Sequence, residues 1–287
     1  MTFLGKIWRA VYPVLLYLAL QIFFIAAVSF ISGILQVYDS LTGAEAVNID
    51  LENAVAQNAI IITGLLAFSA IPFMAGLYAA DVSKWGFDDG IEVNKTNLKD
   101  YIMVILLGAS LALTLNIALT FIFNVFKIND QVFEEVNKSI SNTGIAAQFL
   151  VVVILGPIVE ELIFRGLVYR RMRKYFSNIP AVIMSSFLFG LIHFNISQGV
   201  YAGLIGILLA YIYYKKENIF LCIGYHMGAN ATAILISSLI DGFENDIAKG
   251  IVIMLYALFA IIISIIGLVY VIKMRVNKNE LAKEEIV

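Results

Sequence analysis

The chain has only two histidines, His193 and His226, and both fall in or at the end of long apolar stretches. So do three ionisable residues within six positions, Glu160, Glu161 and Arg165, and an asparagine, Asn230, four residues after His226. An ionised side chain at the centre of a spanning helix costs about 2.5–3.5 kcal/mol on insertion scales. Groups of this kind therefore face a bundle interior, where they find partners or take part in chemistry. Helical geometry sorts them. Glu161 and Arg165 are four apart and share a face, so they can pair. Glu160 is rotated by about 100° at 3.6 residues per turn and is left for another task. His226 and Asn230 share a face, and Gly224, Gly228 and Ala229 beside them leave room for a ligand or a peptide backbone.

One carboxylate and one histidine can hold and deprotonate a water molecule. A second histidine and an amide can donate hydrogen bonds to the oxyanion formed when that water attacks a carbonyl. The same side chains could instead bind zinc through Glu160, His193 and His226, since two His and one Glu form a catalytic ligand set. HExxH, the common way of placing two His ligands and a base on one helix, is absent. Cys222 is the sole cysteine, which excludes a disulfide framework and a cysteine-based metal site within one chain. No serine stands in a plausible His/Asp arrangement.

The elements that must hold these groups are membrane spans. Hydrophobic residues are 61% of 287 and charged residues 14%, against roughly 25% charged in a soluble domain. The mean hydropathy is +0.90. A spanning helix needs about 20 apolar residues, and eight apolar runs are read as spans: 12–35, 59–80, 101–126, 145–159 continuing past Arg165, 181–194, 199–214, 219–240 and 251–274. The fold expected is an all-α polytopic bundle of about eight transmembrane helices, one domain over 1–287 with a core at 145–240. The fifth and sixth runs are short, so the connection 195–198 is expected to dip into the membrane. Gly199 and Gly203 form a GxxxG pair, read as helix packing. The segment 81–100, with Trp85 and Phe87, reads as an amphipathic stretch at the interface.

Basic residues set the orientation. Lys6, Arg9, Lys84, Lys95, Lys99, Arg165, Arg170, Arg171, Arg173, Lys174, Lys215, Lys216, Lys273, Arg275, Lys278 and Lys283 fall on one side, and only Lys127, Lys138 and Lys249 on the other. Both termini are therefore expected in the cytoplasm, with Glu160, Glu161 and Arg165 on the cytoplasmic half of the fourth span. A water-accessible cavity is expected to open to that half. The net charge of -2 gives no sign of a nucleic-acid partner. Arg170 to Lys174 reads as a juxtamembrane cluster.

Three spaced motifs add a resemblance. Glu160 to Arg165 resembles the EExxxR motif, Phe189 to His193 the FxxxH motif and His226 to Asn230 the HxxxN motif of the CAAX-protease and bacteriocin-processing (CPBP, or Abi) family, in the same order. The resemblance covers roughly 145–240. It implies an intramembrane endopeptidase related to the type II CAAX prenyl proteases. Carried over by position, Glu160 and His193 activate the water, His226 and Asn230 stabilise the oxyanion, and Glu161 and Arg165 form a supporting pair. The family is described as metal-dependent, while its prenyl-protease branch resembles a glutamate protease; no cofactor is favoured, with zinc the alternative. The implied partner is a membrane-embedded or lipidated peptide, CAAX-like or bacteriocin-leader-like. Compactness and short connections point to a bacterial plasma membrane. Two other classes remain: a non-catalytic immunity or scaffold protein, and a transporter using the polar groups as a relay. No internal repeat supports the transporter.

Overall fold

In hydrocarbon every backbone N–H and C=O must be satisfied within the protein, and an apolar run meets that demand by coiling into a helix. The computed structural model describes residues 2–42, 58–85, 96–241 and 246–274, and among these all regular structure is helical. Nine helices follow one another: α1 (Phe3–Thr42), α2 (Ala59–Trp85), α3 (Leu98–Val125), α4 (Gln131–Ser141), α5 (Ile145–Tyr175), α6 (Asn178–Leu191), α7 (Ile196–Lys216), α8 (Ile219–Asp241) and α9 (Asp246–Lys273). Seven of them are long and apolar enough to cross a bilayer. The chain is a multi-pass membrane protein.

Two differences from the sequence reading concern short helices. The expected fifth span is the 14-residue α6. At 1.5 Å per residue it is about 21 Å long, less than the roughly 30 Å hydrocarbon core. The sequence reading also omitted α4, an 11-residue amphipathic helix with no buried residue. Phe87 and the rest of 86–95 lie outside the described residues.

α5 is the axis of the bundle. All residues from Glu161 to Arg173 are buried, enclosed by α1, α2, α6, α7 and α8. It changes register twice: Phe149–Leu155 and Leu162–Tyr169 are π-helical, on either side of an α-helical stretch Gly156–Glu161. π-segments within α-helices occur frequently at functional sites.

Glycines bring the neighbouring helices close. A Cβ on Gly228 of α8 would stand 2.5 Å from the Ile105 carbonyl oxygen of α3, and one on Gly190 of α6 would stand 2.5 Å from the Gly199 carbonyl of α7. Gly224 also faces Ile105. The space these small residues leave near His226 is therefore filled by the backbone of α3. Gly199, Gly203 and Gly206 of α7 face α6.

One end of the bundle is closed by a buried basic clamp. Arg171 donates from Nε to Asp81 Oδ2 of α2 at 2.6 Å and from Nη1 to the Arg9 carbonyl of α1 at 2.8 Å. Arg170 stacks on Tyr78 with its guanidinium 4.9 Å from the ring centre. Arg9 and Lys174 both stand over Trp85, at 4.4 and 4.0 Å. Arg170, Arg171 and Arg173 are buried; Arg170 and Arg171 join α5 to α2 and α1, and Arg173 donates to the nearby Phe176 carbonyl at 3.3 Å.

Candidate active site

The two adjacent carboxylates of α5 have different surroundings. Glu161 is fully buried, while the Glu160 side chain keeps 18% of its surface exposed and lines a cavity. Glu161 Oε1 accepts from Arg165 Nη1 at 3.0 Å and from His226 Nδ1 at 2.9 Å. Arg165 is equally buried, donates from Nη2 to the Gly206 carbonyl of α7 at 3.1 Å, and lies 4.7 Å above the Phe189 ring. The supporting pair thus ties α5 to α6, α7 and α8 at one point.

That arrangement orients His226. Its Nδ1 faces a carboxylate that already receives a guanidinium, so Nδ1 carries the proton. Nε2 then points towards Glu160, 3.6 Å from Oε2. This is beyond hydrogen-bond range, so both atoms keep capacity for a third partner in the cavity. The two carboxylates, about 100° apart on their helix, approach the same imidazole from its two nitrogens.

His193 sits in the turn after α6. Its Nδ1 lies 2.8 Å from the Phe189 carbonyl. A carbonyl only accepts, so Nδ1 donates and Nε2 offers its lone pair. The four-residue step from Phe189 to His193 is what brings ring and carbonyl together. Phe189 is the hub of the site, meeting His193 and His226 edge-on at centroid distances of 5.4 and 5.6 Å. Asn195 steadies the same turn: its Nδ2 donates to the His193 carbonyl at 2.9 Å, and its Oδ1 accepts from Gln198 N as the cap of α7.

Asn230 donates from Nδ2 to the Val152 carbonyl of α5 at 2.8 Å. In the π-helical register that carbonyl looks to the N–H five residues on, which is Pro157 and has none. The Gly156 N–H is bound to Val151 instead. Proline and register change together leave an acceptor that Asn230 serves, with the second amide N–H left over.

Glu160, His193, His226 and Asn230 all line one cavity of about 780 Å³. Its other walls come from Tyr17 and Gln21 of α1, Thr63 and Leu66 of α2, Tyr201 and Ile205 of α7, and Val132, Glu135 and Ile140 of α4. Sequence reasoning passed over α4, although Val132, Val136 and Ile140 are spaced four apart in its short polar segment. Glu160 stands midway along α5, and the cavity runs from it towards α4, away from the basic clamp. Under the charge count this is the half opposite to the one where the opening was expected. Among the described residues no group of three or more His, Cys, Asp or Glu side chains gathers as metal ligands.

These features define a helical membrane protein with paired carboxylates and histidines around one intramembrane cavity. Residues 142–232 match the family model described as "Type II CAAX prenyl endopeptidase Rce1-like". The chain therefore carries an Rce1-like segment, and the matching family is a protease family. The match spans all three motifs from which the resemblance was read. No curated protein and no solved structure matches the chain.

Proposed function

We propose that the chain is an intramembrane endopeptidase that cleaves a membrane-embedded or lipidated peptide with water activated by Glu160 and His193. The observation that carries this reading is the pairing of Glu160 with His226 Nε2 at 3.6 Å on the wall of a cavity that His193 and Asn230 also line. Water bound by the Glu160 carboxylate and the His193 Nε2 lone pair attacks the peptide carbonyl carbon and gives its proton to Glu160. Charge then develops on the carbonyl oxygen. The second N–H of Asn230 and, where the ring carries a proton on Nε2, His226 are the donors for it. When the tetrahedral intermediate collapses, the C–N bond breaks and Glu160 returns the proton to the leaving amine. Glu161 and Arg165 hold His226 at the required angle.

The test is cleavage of quenched fluorescent peptides containing an apolar segment, by the full chain in lipid nanodiscs. Turnover is expected, and its loss in Glu160→Gln identifies it with this site. Absence of any cleavage across a broad apolar peptide library, by a folded preparation, would overturn the assignment.

Asn230→Ala is expected to slow turnover by roughly 10²–10³, as for a lost oxyanion donor. The effect should fall on kcat, with KM little changed. Leaving the Val152 carbonyl without a partner should also cost about 1–3 kcal/mol of stability, read as a lower thermal midpoint. Unchanged kcat in a folded variant removes Asn230 from the reaction.

The metal-free step has its own measurement. Prolonged dialysis against a strong zinc chelator is expected to leave the rate unchanged, and added zinc should not raise it. Loss of activity restored by stoichiometric zinc would replace this step with a metal-bound one.

A further inference from the structure

The hydrolytic reading leaves open what kind of peptide reaches Glu160 and from which face of the membrane. The cavity answers both through its shape and its charge. Beyond the site, its walls are Ala59 at the first turn of α2, Asn195 and Gln198 at the α6–α7 junction, and Val132, Glu135 and Ile140 of α4. All of these lie at one end of the bundle. The opposite end, closed by Arg171, Asp81 and Arg9, contributes no wall residue.

The two ends differ in charge. The clamp end carries most of the lysines and arginines. The α4 segment has Asp130, Glu134 and Glu135 against Lys127 and Lys138. Basic connections remain in the cytoplasm, which puts α4 and the open end of the cavity on the outer face.

The cavity itself is acidic. Its charged lining residues among those described are Glu135 and Glu160, and no lysine or arginine lines it. A peptide C-terminal carboxylate meets no cation there, whereas an ammonium or guanidinium group finds Glu135 at the rim. α4 turns Val132, Val136 and Ile140 towards the same space, so an apolar chain is accommodated beside the charge. The rim is pinned at one point, where the Ser197 N–H donates to Asp130 Oδ2 at 2.7 Å. Partial burial pushes the Asp130 carboxyl up, but N–H donors from Ser197 and Phe133 outweigh it and hold the group below the usual carboxylate range.

The geometry points to a substrate that is an apolar peptide with a lysine or arginine near its scissile bond, admitted from the outer face beneath α4 and past Glu135. The inference rests on the protease reading for the cleavage step but not for the direction of access. Glu135 is exposed, so its contribution is to capture. A rim charge of this kind alters association more than the chemical step.

Two measurements test it. In intact bacterial cells expressing the chain, a membrane-impermeant maleimide is expected to label Val136→Cys. It should label Lys174→Cys only after permeabilisation; native Cys222 is buried and serves as background. The reverse pattern overturns the outer opening. In nanodiscs, three otherwise identical apolar peptides bear lysine, norleucine or glutamate three residues from the cut. The lysine peptide is expected to lead the glutamate peptide by about tenfold or more in kcat/KM, mainly through KM. Glu135→Lys should invert that order. Equal cleavage of the three, or an order that Glu135→Lys leaves unchanged, overturns the substrate class while leaving the protease standing. If no peptide is cut although labelling reports an outer opening, the protease reading fails and the substrate class with it.

Discussion

Glu160→Gln is expected to lower kcat by about 10³–10⁴, near the upper range for loss of a general acid–base group, while leaving the protein folded. The change removes a negative charge and a proton acceptor but keeps the shape of the side chain. Nothing structural depends on that charge: Glu160 is partly exposed to the cavity, and His226 Nε2 is 3.6 Å away, too far for a direct hydrogen bond. The thermal midpoint in one detergent should therefore match that of the parent. The neighbouring carboxylate behaves differently. Glu161→Gln removes the charge that receives both Arg165 and His226, so its midpoint should fall along with its rate. His193→Ala should resemble Glu160→Gln in rate, because the proposed step gives its Nε2 lone pair a share in binding the water. A Glu160→Gln protein that retains kcat within tenfold of the parent shows that another group takes the proton.

Arg165→Ala is the substitution expected to cost most in stability. Arg165 and Glu161 are both at 0% exposure, and removing one partner of a buried ion pair costs about 3–5 kcal/mol, because the remaining charge is stranded. The guanidinium also fills the space above Phe189 and donates to the Gly206 carbonyl. A cavity among α5, α6 and α7 therefore accompanies the stranded carboxylate. The same reasoning says how to rescue the fold. Arg165→Met combined with Glu161→Gln removes both charges and refills most of the volume, and replacing a buried pair by neutral groups is often tolerated. The double variant should recover most of the thermal midpoint lost by Arg165→Ala. A single Arg165→Ala variant as stable as the parent contradicts the structural role. A double variant as unstable as the single one shows that the loss lies in packing and not in the stranded charge.

Much of this architecture was legible in the sequence because lipid imposes one rule on every span. Seven of the eight apolar runs correspond to long helices, since about 20 apolar residues in hydrocarbon have no other way to satisfy their backbone. The remaining run, the fifth, forms α6 and stops at Leu191 because the chain turns there: Phe194 adopts a left-handed conformation with φ 54 and Asn195 caps α7. Apolar content alone could not show this turn. α4 was missed for the opposite reason. Its polar face and short length resemble a loop, and its apolar residues find their surroundings, the cavity among them, only in the tertiary structure.

The polar residues were conspicuous because each is costly in a membrane, and Glu160, Glu161, Arg165, His193, His226 and Asn230 were singled out on that ground. Their rarity and the three spacings determined which groups to consider, and the spacing of Glu161 and Arg165 alone determined that they could pair. What the sequence could not determine was how those groups face one another. That depends on helix phase, and two π-helical stretches in α5 shift the phase in a way 3.6-residue periodicity does not anticipate. Tertiary structure decided that both carboxylates meet the same imidazole, that Asn230 serves a carbonyl left over by Pro157, and that Gly224 and Gly228 admit the backbone of α3. It also decided that the cavity runs towards α4. Residue type fixes what a group can do and local spacing fixes its nearest neighbour. The direction of a cavity arises only when helices from distant parts of the chain have packed.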